Sequence, residues 1–316
     1  MRRRELIGLL AAATLQAAEG AAGAPPPALS CRVTAWLGDP PLNVASVKAA
    51  VEGQDAKVIA VRDSASPLLL NVVLDLTGDL ALIGPAREAL KSALAALSSN
   101  VWVSLLRAQD GLRVLSDPAP DRSLVNLQLD ALETTGRPGL LEAVLPAAAL
   151  AERILRRSPI RTAVLFLTDS DIYDYREDYT NPVVNPSDAR DLSRRFPEAL
   201  IREKSAKLAA ALNSTDVPVF VHHLAWLRDR LNAAYQAGLQ QIAEATGGHV
   251  VFSRAPGDIF GDLSQMVKRI ASEWAVDLEL PPGTQRTYSV QLSVEGREIQ
   301  YRTKYTLAPR AKGSLS

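Results

Sequence analysis

The feature that most constrains this chain lies between Pro67 and Ser272, where long apolar runs alternate with stretches of helical spacing. Strands buried on both faces read as continuous hydrophobic segments, and the helices that cover them read as amphipathic ones. The runs Leu68 to Asp75, Val101 to Leu106, Thr162 to Thr168, Val217 to Leu224 and Val250 to Ser253 are expected to be strands. Between them, Leu90, Ala93, Leu94 and Leu97 keep a helical period, as do Leu141, Val144, Leu145 and Ala148, then Ile201, Ser205, Leu208 and Leu212, and finally Phe260, Leu263, Val267 and Ile270. Gly111 ahead of Arg113 to Leu115 predicts a hairpin, which puts one antiparallel strand at a sheet edge. The fold class expected is therefore α/β: a Rossmann-like, doubly wound, mostly parallel sheet over residues 67–272.

The flanks read differently. Cys31 to Leu37 and Lys57 to Arg62 look like short strands, with Val44 to Val51 as a helical turn between them. After Ser272, the segments Ala275 to Leu280, Tyr288 to Val294 and Ile299 to Thr306 alternate with period two, broken at Pro281-Pro282-Gly283 and at Glu295-Gly296. The N-terminal piece (30–66) and the C-terminal piece (273–310) are expected to combine into one small sandwich-like β element. Ahead of both, Arg2, Arg3 and Arg4 precede an apolar run from Leu6 to Leu15 and small residues around Ala17 to Ala24, the pattern of an export signal, followed by the linker Pro25-Pro26-Pro27. The arginine pair suits a twin-arginine signal. A periplasmic or secreted protein is the expectation for residues 1–29.

Charge excludes some partners. Thirty-five basic residues balance thirty-five acidic ones, so no net field draws the chain to nucleic acid or an anionic membrane. The single cysteine, Cys31, is read as a buried residue opening a strand, with a lipidated cysteine as the alternative although Ala28-Leu29-Ser30-Cys31 lacks the branched or Leu residue expected three before it, and no later apolar run is long enough to span a bilayer. No G-x-S-x-G elbow and no glycine-rich phosphate loop is present. His222 and His223 are neighbours in a strand, so they point to opposite faces and cannot chelate one metal together.

In an open α/β sheet, ligands meet the carboxyl ends of the strands where strand order reverses. Asp75-Leu76-Thr77-Gly78-Asp79 ends the first strand and Thr168-Asp169-Ser170-Asp171 ends the third. Here the chain resembles the von Willebrand factor A family, whose metal-ion-dependent adhesion site carries Asp-x-Ser-x-Ser, a later Thr and a later Asp. Asp75 and Asp169 match the two aspartates, and Thr77 stands for the first serine. Ala245-Thr246-Gly247-Gly248 and Tyr301 to Pro309 resemble the last-strand approach and the C-terminal strand of exported, acidobacterial-type members. The sequence departs from the pattern at Asp79, in place of the second serine, and at Pro138 in Gly136-Arg137-Pro138-Gly139-Leu140, in place of the threonine.

The resemblance implies a protein-interaction module without enzymatic activity, with room for one divalent cation, Mg²⁺ or Ca²⁺, on Asp75, Thr77, Asp79 and Asp169. The other reading of the same residues is a relic loop, with Thr77 and Asp79 capping the next helix and Asp75 held by backbone amides. The acidic run from Asp171, with Tyr173, Tyr175 and Tyr179 interleaved, is expected to form a partner-binding loop extending to Pro186. The competing functions are a divalent-metal hydrolase using the carboxylate rim and a metal-free scaffold subunit that binds through its β tail.

Overall fold

The computed structural model describes residues 29–36, 47–158, 160–173, 175, 198–294 and 297–307. The export signal and linker, Tyr179, the rest of the loop to Pro186, and Glu295-Gly296 lie outside the described residues.

Six strands form the α/β sheet: β4 (Leu68–Asp75), β5 (Val101–Arg107), β6 (Arg113–Ala119), β7 (Arg161–Thr168), β8 (Val219–His223) and β9 (Val250–Phe252), in the order β6-β5-β4-β7-β8-β9. All neighbours run parallel except β5 and β6, the hairpin expected around Gly111, where φ is +102°. The chain starts in the middle, winds outward to β6, returns to β7 and winds the other way. Strand order thus reverses between β4 and β7. Every residue of β4 and β7 is buried, which is why both read as unbroken apolar runs.

Alternation along β4 splits the core in two. Leu68, Leu70, Val72 and Leu74 pack under helices α1 (Leu80–Ala95), α2 (Ser123–Asp130) and α6 (Ile259–Ser272). Val73 faces the opposite layer, made of α3 (Leu140–Leu155), α4 (Glu198–Leu212) and α5 (Arg230–Thr246). One helix face differs from expectation: Phe260 is 55% exposed, and the inward positions of α6 are Ile259, Leu263, Met266, Val267 and Ile270. Placing Ile259 inward turns the adjacent Phe260 about 100° away, toward water.

The flanking segments build a second sheet of seven strands, β12-β1-β10-β3-β2-β11-β13, from β1 (Ser30–Trp36), β2 (Val47–Val51), β3 (Gln54–Arg62), β10 (Trp274–Glu279), β11 (Thr287–Val294), β12 (Gln300–Tyr301) and β13 (Lys304–Thr306). Two expectations are corrected here. Val47–Val51 is a strand rather than a helical turn, because it alternates buried and exposed residues between β3 and β11. The element is also one rolled sheet rather than a sandwich. Its outermost strands, β12 and β13, are separated in the chain by only Arg302 and Thr303, a link spanning roughly 10 Å at most. The two edges must therefore curl toward each other around Val33, Val276, Leu278, Val290 and Tyr305.

Arginines join the two sheets. Arg161, 3% exposed, donates to the carbonyls of Ser64 and Ser66 before β4, of Ala271 in the last turn of α6 and of Glu273 just after it, so one guanidinium ties both connections between the sheets. Arg302 donates to Thr215 O and Asn213 O of the α/β layer and to Lys304 O, and this anchorage breaks the expected Ile299 to Thr306 strand in two. Among the described residues, no helix is long and apolar enough to cross a membrane.

Candidate functional site

The reversal between β4 and β7 brings the two sequence-predicted aspartates to one crest. Asp75 pairs in register with Thr168, and Asp169 N–H donates to Asp75 O at 3.3 Å. Their side chains then diverge.

Asp75 is fully buried and turns toward α3. That helix starts at Gly139, which has no side chain to cap it. The Asp75 carboxylate supplies the acceptor from a distance, taking Gly139 N–H at 2.8 Å and Leu140 N–H at 3.2 Å. Carboxylates are stabilised at helix N-termini by these unpaired donors and by the helix dipole. Ser170 Oγ (2.9 Å), Thr168 Oγ1 (3.3 Å) and Tyr175 OH (3.4 Å) complete the shell. Burial still outweighs these donors, and the carboxyl is pushed up to about 6. Glycine is required at 139 because a Cβ there would lie 2.0 Å from Ala108 O.

Asp169 points the other way, into the loop before α1. It accepts the consecutive N–H groups of Thr77 (2.8 Å), Gly78 (3.1 Å) and Asp79 (3.0 Å). Asp79 caps α1 by accepting Ala81 N–H at 2.9 Å. The capping expected of Asp79 and the amide contacts expected of Asp75 are both present, whereas Thr77 enters through its backbone.

The fit of this donor set to a divalent cation follows from the same bonds. A carboxylate has about four lone-pair directions, and Asp75 already meets five donors while Asp169 meets three. Pro138 has no side-chain oxygen to add. Among the described residues, no three acidic, histidine or cysteine side chains converge as a metal-holding group. Asp75, Thr77, Asp79 and Asp169 in this arrangement do not fit a hard cation that needs six or more oxygens.

The loop after β7 is corrected in one respect. Tyr175, expected among exposed anchors, is 1% exposed, because its hydroxyl bridges Asp75 and Leu140 N–H and its ring lies 5.8 Å from that of Tyr235. Tyr173 is partly buried and donates to Asp229, the N-cap of α5. Asp171 accepts Tyr173 N–H. Asn232 of α5 accepts Ile172 N–H, so the start of this loop is fastened to α5. The roles of Ser170, Asp229 and Asn232 went unseen in the sequence. Asp229 before Leu231, Tyr235, Leu239 and Ile242, with Gly247 after them, is the capped, periodic signal that marks α5.

Both histidines are buried, on opposite faces. His223 sits under the loop with Nε2 at 2.9 Å from Ser170 O and Nδ1 accepting Ala225 N–H, which makes Nε2 the donor. His222 meets Ser253 Oγ at 2.9 Å, and Ser253 donates to Asp262. Burial lowers both, His222 to about 4, so they are neutral at physiological pH. Ser253 is fully buried and its hydroxyl points to a carboxylate, so this trio cannot present a nucleophile to a substrate.

Two large apolar side chains are exposed at the crest, among charged neighbours that include Asp79, Arg228 and Asp229. Leu80, at the first turn of α1, is 73% exposed, and Trp226, after β8, is 48% exposed with its ring edge-on to Phe252 at 5.3 Å.

No family model matches the chain, and no curated protein sequence matches it. Among solved structures it is similar to a von Willebrand factor type A protein from Catenulispora acidiphila, at 14% identity over 89% of this chain and 73% of that one, with a TM-score of 0.44. It is also similar to the von Willebrand factor domain of the type V pilus tip protein from Porphyromonas gingivalis, at 13% identity over 65% of this chain and 95% of that one, TM-score 0.45. A third is a conserved hypothetical protein from Bacteroides thetaiotaomicron, at 13% identity over 65% and 98%, TM-score 0.39.

Proposed function

We propose that this chain is an extracytoplasmic, non-catalytic protein-interaction module of von Willebrand factor A type whose crest docks a partner without a divalent cation. The observation that carries the reading is the division of labour at the strand-order reversal. The carboxylates of Asp75 and Asp169 are both spent on backbone amides, Asp75 in the interior and Asp169 at the surface, while Leu80 and Trp226 project outward. Apolar side chains fixed on a rigid frame are what partner surfaces use as anchors. Export rests on the arginines and apolar run before Ala24.

The test is capture of partner from the native envelope fraction, with and without chelator. Capture should survive chelation and fall by at least about tenfold in Leu80→Asp combined with Trp226→Ala. Capture abolished by chelator and untouched by those substitutions would refute the reading.

A further inference from the structure

Two crossings join the rolled sheet to the α/β layer, one from β3 into β4 and one from α6 back into β10. Glu273 is the single residue between Ser272, which ends α6, and Trp274, which opens β10. Its side chain is 7% exposed, and its carboxyl accepts no hydrogen bond from any described residue; the nearest cation is Arg269 Nε at 3.9 Å. Asp75, Asp169 and Asp277 all have donors in place, so a carboxyl left empty at the joint between two sheets stands apart.

The charged groups packed around Glu273 explain its isolation. Arg161 of β7 spends its five N–H donors on the carbonyls of Ser64, Ser66, Ala271 and Glu273 itself, so it brings charge to the carboxyl but no bond. Arg32 of β1 is paired with Asp277. Arg302, between β12 and β13, donates to the carbonyls of Lys304, Thr215 and Asn213. Glu244 of α5 and Lys304 border the outer side, and His249, ahead of β9, feels the Arg269 charge.

Arg269 differs from the other cations. Its Nη2 donates to Gln300 Oε1 of β12 at 3.1 Å, and its guanidinium lies over the Trp36 ring of β1 at 5.2 Å. Its Nε is buried and has no hydrogen-bond partner among the described residues. An N–H···O bond closes at about 2.9 Å, so a shift of roughly 1 Å separates Nε from the Glu273 carboxyl.

We infer that Glu273 and Arg269 form a proton-controlled latch at the joint between the two sheets. With Glu273 neutral, Arg269 keeps Gln300 and holds β12 to α6. With Glu273 ionised, the carboxylate takes Nε and Nη2 together, in the forked pairing that Arg32 makes with Asp277, and Gln300 loses its donor. Burial pushes Glu273 up to about 8, against the charges of Arg269 and Arg161, so the exchange falls just above neutral pH. The folded value lies above the unfolded one, so the stability contributed by the neutral acid is complete below 4.5 and is lost as pH rises through about 8. His249, held below its ordinary value by burial and by Arg269, titrates on the acid side of that step. The latch is independent of the crest.

The test follows the Glu273 carboxyl carbon by NMR in the full chain from about pH 5 to about pH 10, together with amide hydrogen exchange across the Ala35–Tyr301 pairing of β1 and β12. The expected result is an inflection at about 8, with protection of that pairing, corrected for intrinsic exchange, falling about tenfold across the inflection in wild type and staying level in Glu273→Gln. Gln300→Ala, at an exposed position, should remove the response of β12 and leave the carboxyl inflection in place. A carboxyl inflection in the ordinary range near about 4.3 overturns the latch, and so does the same pH trend of protection in wild type and Gln300→Ala, even if Glu273→Gln fails to fold.

Discussion

The two ends of the parallel sheet each hold an aspartate raised to about 6 by desolvation, Asp75 fully buried and Asp216 partly so, yet the two sit in opposite inventories. At the crest, Asp75 is surrounded by five donors from β7, α3 and the loop after β7. At the base, Asp216 has one backbone donor and faces a cavity. The lesson is that a perturbed carboxyl by itself does not mark a site. The decisive quantity is how many of its lone pairs the fold has already engaged, and by that measure the crest aspartate is structural.

The comparison breaks most directly by substitution. Asp75→Ala strands Gly139 N–H and takes an acceptor from Leu140 N–H and the Ser170 and Tyr175 hydroxyls, which keep only weaker or shared partners; since a buried unmet donor costs about 1–3 kcal/mol, we expect a loss of about 3 kcal/mol in chemical denaturation. Asp216→Asn should cost nothing measurable or should stabilise above about pH 6, because it removes a poorly solvated charge without stranding a set of donors. Equal losses from both would erase the distinction.

Next in size is Gly139→Ala. Its methyl would press on the Ala108 carbonyl and shift the start of α3 off Asp75, at about 1–3 kcal/mol. Thermal unfolding of that variant reports on the crest without altering any charge.

The pH dependence sharpens the contrast. Asp75 rises from 3.8 to about 6 on folding, so the fold favours its protonated form. Its contribution is present in full below about pH 4 and is lost as pH rises through about 6, at about 1.4 kcal/mol per unit. Asp216 has the same sign and window. Subtracting the stability-versus-pH curve of Asp216→Asn from that of wild type should show a slope confined to that window; a flat difference would mean that Asp216 is not perturbed.

The smallest effect is local. Asp169→Asn should release the amides of Thr77, Gly78 and Asp79, seen as about tenfold faster hydrogen exchange at those positions with a global loss of about 1 kcal/mol, since the loop is open to water.

Much of this architecture was legible in the sequence because burial on both faces writes itself as unbroken apolar runs. Leu68 to Asp75, Thr162 to Thr168 and the Gly111 hairpin fell where the spacing placed them. The co-location of Asp75 and Asp169 followed from strand order alone. What escaped depended on contacts remote in sequence. Tyr175 reads as a rim aromatic until the donor demand of Asp75 and the ring of Tyr235 draw it inside. Val47–Val51 is too short for its own period to declare a strand, and only pairing with β3 and β11 defines it. The rolled sheet likewise emerges from Arg302, whose bonds to Asn213 and Thr215 bend the last strand between two edges.

The central claim is that the crest carboxylates are occupied by the protein itself. Calorimetric titration of Ca²⁺ and Mg²⁺ into the wild-type chain tests it most directly. The account predicts no saturable heat at millimolar ion, in wild type and in Asp75→Ala alike. Stoichiometric binding to wild type that disappears in Asp75→Ala would contradict it.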